Sequence, residues 1–123
     1  HQNSTPKHLT IANNTFVNSG TTIRLSSWNG GSATNIELMN NVFYSSASSY
    51  IQGSTGVAIV KNNVNINNLN AFVNLSIDGS KLDATPGINS PLIVAGDPLF
   101  TPLHDLLGRI RVGSVEVGAV DLP

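Results

Sequence analysis

The chain contains no cysteine, so disulfides, thiolate metal sites and thiol nucleophiles are excluded together. It has one methionine and one tryptophan, and only 11% of its residues are charged, well below the roughly one quarter usual for a soluble domain. Formal net charge is −1 and the six basic residues are scattered, which leaves no electrostatic footprint for nucleic acid. No apolar run approaches the roughly 18 to 20 residues that span a bilayer, and the opening HQNSTPKHL has no signal-peptide core. A first residue of His rather than Met points to a processed or excised chain.

What is present is a hydrophobic fraction of 40% in 123 residues, one domain's worth of material. Abundant Asn, Ser, Thr and Gly accompany it. These groups hydrogen-bond locally and suit turns and sheet surfaces better than helices. The triplets beginning at Asn3, Asn13 and Asn74 have the form of glycosylation sequons, a pattern that arises by chance in so Asn-rich a chain.

Three stretches repeat: LTIANNTF (residues 9 to 16), IELMNNVF (36 to 43) and AIVKNNVN (58 to 65). Each carries apolar residues in alternation and then an asparagine pair: Asn13 and Asn14, Asn40 and Asn41, Asn62 and Asn63. Phe16 and Phe43 match, whereas Asn65 breaks the third copy. The first Asn of each pair precedes its successor by 27 and then 22 residues, a period that belongs to a solenoid of short strands. Between the pairs lie TTIRL (21 to 25), SYIQG (49 to 53) and NAFVN (70 to 74), so each repeat reads as three strands separated by corners. A corner needs a residue that tolerates the left-handed backbone region, and Asn does so better than other non-glycine residues. Stacked coils about 4.8 Å apart allow asparagine amides to bond as ladders. The six asparagines are therefore expected to be architectural. Period and alternation alone permit a right-handed, a left-handed or a less regular solenoid.

With these residues the chain resembles the right-handed parallel β-helix proteins of the pectate-lyase-like kind. The last segment, Ile88 to Pro123, is similar to the closing segment of many secreted bacterial β-helix proteins. It carries Ser90-Pro91, Ala95-Gly96-Asp97, Asp105 to Gly108 with Arg109 and Arg111, and Val115 to Ala119. The resemblance implies an all-β fold: a single domain over 1–123, with a few regular coils over 9–80 and a last coil plus irregular C-terminal cap over 81–123. It also implies that the three inter-pair stretches are rungs of one sheet, and that the protein is secreted or on the cell surface. Pro86, Pro91, Pro98 and Pro102 fit a cap, because proline cannot donate to a strand ladder. No amphipathic helix precedes Leu9, so the N-terminal β-helix edge is expected to be sealed by a second copy in a homo-oligomer or by further coils of a longer chain.

In enzymes of that family the chemistry sits on the outward face of the first sheet. If Ile23, Leu25 and Ile51 point inward, alternation turns Thr22, Arg24, Tyr50 and Gln52 outward, beside a loop that carries Trp28. Arg24, Trp28, Tyr50 and Gln52 are types that bind sugars, through aromatic stacking and Arg–carboxylate pairing. The bland alternative makes Trp28 a loop closure and Arg24 a solvated sheet residue. No second basic residue accompanies Arg24, so a complete lyase site is not evident. Glycoside hydrolysis wants two carboxylates at a set separation, yet every acid but Glu37 falls after residue 77. Asp97 or Asp105 is expected to pair with Arg109 or Arg111. His104-Asp105 lacks a nucleophile elbow, and Asp78 to Asp83 lacks the ligand spacing of a calcium loop.

The expectation is thus a polysaccharide-associated unit without catalytic residues, metal or cofactor of its own. Its rivals are a small lyase or hydrolase completed by oligomerisation, and a structural unit without ligand.

Overall fold

A computed structural model of the chain describes residues 7–17, 23–25, 35–44, 51–53 and 58–123. Ten strands run through these residues, with two short 3-10 turns and no α-helix among them. β1 (Leu9–Ala12), β4 (Ile36–Met39) and β7 (Ala58–Lys61) form one parallel sheet, β2 (Thr15–Val17), β5 (Val42–Tyr44) and β8 (Val64–Ile66) a second, and β3 (Ile23–Leu25) pairs with β6 (Ile51–Gly53) in a third. Every parallel pairing links a strand to the one three later in the chain. The register is the one the repeats dictate: Leu9 with Ile36 and Ala58, Ile11 with Leu38 and Val60, Phe16 with Phe43 and Asn65.

The two residues of each asparagine pair do different work. Asn13, Asn40 and Asn62 hold φ of 54°, 56° and 53°, the left-handed conformation that turns the chain between adjacent strands. Asn14, Asn41 and Asn63 build the ladder. The backbone N–H of Asn14 and of Asn41 each donates to the side-chain oxygen of the next ladder residue, at 3.0 Å. The Asn41 amide Nδ2 donates to Asn63 Oδ1 at 2.9 Å and to Ile11 O at 2.8 Å, and Asn63 Nδ2 donates to Leu38 O. These bonds satisfy backbone groups that strand pairing leaves open at a corner. A further left-handed asparagine, Asn35 at φ 53°, opens β4 and lies 3.3 Å from His8 Nδ1, its equivalent one repeat earlier.

β5 is buried on both faces. Phe43 packs with Ile23, Ile36 and Leu38 in one cluster and stacks on Phe16 with ring centroids 5.0 Å apart. Its neighbour Val42 points to the opposite face, into a second cluster with Ile66, Phe72, Leu92 and Val117. Each fully buried side chain of this size contributes about 1.5 to 3 kcal/mol. Leu92 and Val117 belong to the closing segment, which therefore lies along the face of the second sheet and its corners. Gly118 N donates to Asn40 O, Asn13 Nδ2 to Glu116 O, and Ala119 N to the Thr15 hydroxyl. The Asn40 side chain clasps Asp97, donating to its carbonyl and accepting from its N–H at 2.9 and 2.8 Å. Gly118 has φ 99°, and a Cβ there would meet Thr15 Oγ1 at 2.9 Å and Val42 Cγ2 at 3.1 Å, so glycine is required for so close an approach.

One expected rung is corrected. The stretch NAFVN forms a 3-10 turn (Leu69–Ala71) and β9 (Phe72–Leu75), and β9 pairs antiparallel with β10 (Leu82–Pro86). The reason is local. Asp78-Gly79 makes a tight turn, with Gly79 at φ 74° and Asp78 Oδ1 accepting from the Ser76 hydroxyl, Ser80 N and the Ser80 hydroxyl at 2.6 to 2.9 Å. A hairpin thus follows the third repeat.

Candidate functional site

The parallel pairing of β3 and β6 places Arg24 beside Gln52, with Ile23 beside Ile51. Ile23 is buried in the first core cluster and Arg24 is exposed, so the arginine lies on the face turned away from that core, as alternation dictates. Gln52 is located by its backbone register. Trp28 and Tyr50 lie outside the described residues. Two of the four expected ligand-binding positions are therefore adjacent rungs of one sheet. The six corner asparagines stand in the other two sheets' turns; Asn40 and Asn41 are wholly buried, and the amides of these two are engaged in the bonds given above.

The charged residues of the closing segment form two linked pairs. Asp105 accepts from Leu107 N and Arg109 N through one oxygen, and from Arg109 Nε and Asp121 N through the other. Burial alone would raise its pKa, but these bonds and the Arg109 guanidinium outweigh it and hold the carboxyl below the usual range. Asp105 thus takes Arg109, one of the expected pairings. Arg111 instead pairs with Asp121 and donates to Gly118 O and Ala119 O. Asp97 binds no arginine; its carboxylate caps the 3-10 turn Pro98–Phe100 by accepting from Leu99 N.

Sequence reasoning missed Glu116, which is buried and directed at Asp121. In Val-Glu-Val a strand-like alternation would leave the acid in solvent, so nothing local announces its burial. Arg109, Ser114, Glu116 and Asp121 line a cavity of about 320 Å³. The carboxyl pair resembles a hydrolytic dyad only in composition: Asp121 is held by the Arg111 guanidinium, and Glu116 lies near the same carboxylate. Burial and then the nearby Asp121 carboxylate raise the Glu116 pKa. A carboxyl raised in the folded state contributes stability at pH below its unfolded value, near 4.3, and loses it as pH rises through the folded value. Glu116→Gln should therefore melt above the wild type at pH 7.5, with the gap closing towards pH 4. A pH-independent gap in thermal unfolding would show that Glu116 is not protonated in the fold.

The remaining acids are held by neighbouring donors. Asp78 is held at a pKa of about 2 by the Ser76 hydroxyl and by Ser80, so the loop with a passing likeness to a calcium site closes on its own donors. Glu37 accepts from the Thr10 hydroxyl at 2.8 Å. Among the described residues no three His, Asp or Glu side chains are grouped to hold a metal ion, and no helix is long and apolar enough to cross a membrane. No protein-family model matches the chain, and no curated protein matches it either.

Proposed function

We propose that this chain is the closing coils and C-terminal cap of a right-handed parallel β-helix of the pectate-lyase-like kind, from an exported bacterial protein, and that it binds polysaccharide without cleaving it. The pairing of every parallel strand with the third one on, together with the asparagine ladder across the corners, supports the solenoid reading. The observation that carries the binding reading is the exposed Arg24 on the sheet face turned away from the core, with Gln52 its neighbour by backbone register: a guanidinium suits a uronate carboxylate. The absence of a second cation beside Arg24 among the described residues and the pairing of Asp105 and Asp121 with arginines favour binding over catalysis. The edge of β1 and β2, which pairs with no further strand among the described residues, is covered, in this reading, by a second copy or by further coils of a longer chain; a monomer at all concentrations in light scattering would remove the second copy.

Calorimetric titration with oligogalacturonate and oligoalginate tests the proposal. Arg24→Ala should lower affinity about tenfold, the loss expected for one charge-assisted pair at a solvated site, with unchanged melting. Release of new reducing or unsaturated ends would establish the enzymatic alternative. Absence of binding to either polymer would leave the structural one.

A further inference from the structure

A second surface has the makings of a ligand site. Between β8 and the loop after β10 lies a cleft of about 400 Å³, lined by Asn65, Asn67, Asn68, Asn70, Asn89 and Ser90 over the apolar Ile66, Ala71 and Pro91. Its size falls within the roughly 300 to 1,000 Å³ of small-molecule sites. No charged residue lines it.

The walls are fixed and the lining is not self-satisfied. Gly87 N donates to Ala71 O at 2.8 Å, tying one wall to the other. Asn68 Oδ1 accepts from Asn70 N, capping the 3-10 turn, and Asn68 Nδ2 donates to Asn67 Oδ1, both at 3.0 Å. Ser90 Oγ accepts from Leu92 N at 3.2 Å. The side-chain amides of Asn65, Asn70 and Asn89 have no hydrogen-bond partner among the described residues, and all three residues are exposed. Beneath them Ile66 and Ala71 are 6% and 8% exposed.

We infer that this cleft is a binding subsite for a neutral saccharide. A primary amide offers one acceptor and two donors on a planar group, which matches the adjacent donor and acceptor of a vicinal diol. The apolar floor suits the C–H face of a pyranose. An uncharged lining gives an anionic sugar no advantage, so the cleft differs in class from the Arg24 face. Without an aromatic platform, and with amides that otherwise bond to water, affinity is millimolar. The inference extends the polysaccharide reading to a second, independent surface.

The test is an ¹⁵N NMR titration of the full chain with the β-1,4-linked hexamers of glucose, mannose and xylose, and with oligogalacturonate and a glycine-rich peptide as controls. At least one neutral hexamer should shift the side-chain amide signals of Asn65, Asn70 and Asn89 saturably in the millimolar range. Asn65→Ala and Asn89→Ala should each weaken that binding at least fivefold without changing the melting temperature, while Arg24→Ala leaves it intact. No saturable shift with any of the three hexamers, or shifts with the peptide alone, would overturn the inference. Loss of neutral-sugar binding in Arg24→Ala would overturn it too, by placing both sugars on one site; loss of oligogalacturonate binding alone bears only on the sheet face.

Discussion

Replacing Asn41 by Ala is expected to lower stability by about 3 to 4 kcal/mol, or about 12 °C in melting temperature for a chain of this length. Asn41 is wholly buried and is the middle step of the ladder. Its oxygen accepts from Asn14 N and Nδ2, and its Nδ2 donates to Ile11 O and Asn63 Oδ1. Truncation removes four bonds and leaves Asn14 N and Ile11 O without these partners, each such group worth about 1 to 3 kcal/mol when buried. The position grades the effect. Asn63→Ala loses the bond to Leu38 O and those from Asn41 at a half-exposed site. Asn14→Ala loses bonds to Ala12 O and Asn41 Oδ1 at an exposed one. Chemical unfolding of the three variants should rank them 41, 63, 14 in decreasing loss; equal losses would mean that the amides act separately.

The second large effect is expected from Arg111→Met, with a loss of about 3 to 5 kcal/mol at neutral pH. The guanidinium is buried, and its three protein acceptors are Asp121, Gly118 O and Ala119 O. Removing it leaves the Asp121 carboxylate buried beside Glu116 without its ion-pair partner. Arg111→Lys should not rescue, because a point charge cannot span a carboxylate and two carbonyls. Arg111→Met combined with Asp121→Leu should lose less than Arg111→Met alone, since an apolar pair is tolerated where half an ion pair is not. Urea unfolding of the single and double variants measures that coupling; a double variant as unstable as the sum of its parts would contradict it.

Much of the frame was legible in the chain. The Asn pairs stood out because one physical property, tolerance of the left-handed region, recurs at solenoid spacing, and the apolar alternation before each pair set the register that β1, β4 and β7 adopt. The division between turning and ladder residues was not legible, since both positions are the same amino acid. The antiparallel β9–β10 pair had a signal, Asp78-Gly79 between two apolar runs, that the repeat pattern overrode. Burial of β5 on both faces also had a signal, the apolar Val42, Val64 and Ile66 opposite Phe43, that the reading of the repeats did not use. The pairing of Arg111 with Asp121 obeys no local spacing rule. It arises because the segment between the two residues docks on the corner residues Asn13 and Asn40 through Glu116 and Gly118, which brings Asp121 back to Arg111.

The candidate sugar-binding surface was half legible. Alternation put Arg24 and Gln52 on one face of a strand pair, and their register confirms neighbouring rungs. The asparagine cleft was hidden in plain composition, since the same residue type that builds the corners also lines it. What separates the two uses is commitment: the amides of Asn13, Asn14, Asn40, Asn41 and Asn63 bond within the fold, and those of Asn65, Asn70 and Asn89 do not.

The central claim is that stacked parallel strands are bound to one another through the second asparagine of each pair. Scalar couplings across hydrogen bonds test it most directly, read by NMR from the backbone nitrogens of Asn14 and Asn41 to the side-chain carbonyl carbons of Asn41 and Asn63. Both couplings should be present, with slow exchange of the Asn41 side-chain amide protons. Their absence, with Asn41 amide protons exchanging as fast as those of exposed Asn65, would contradict the account.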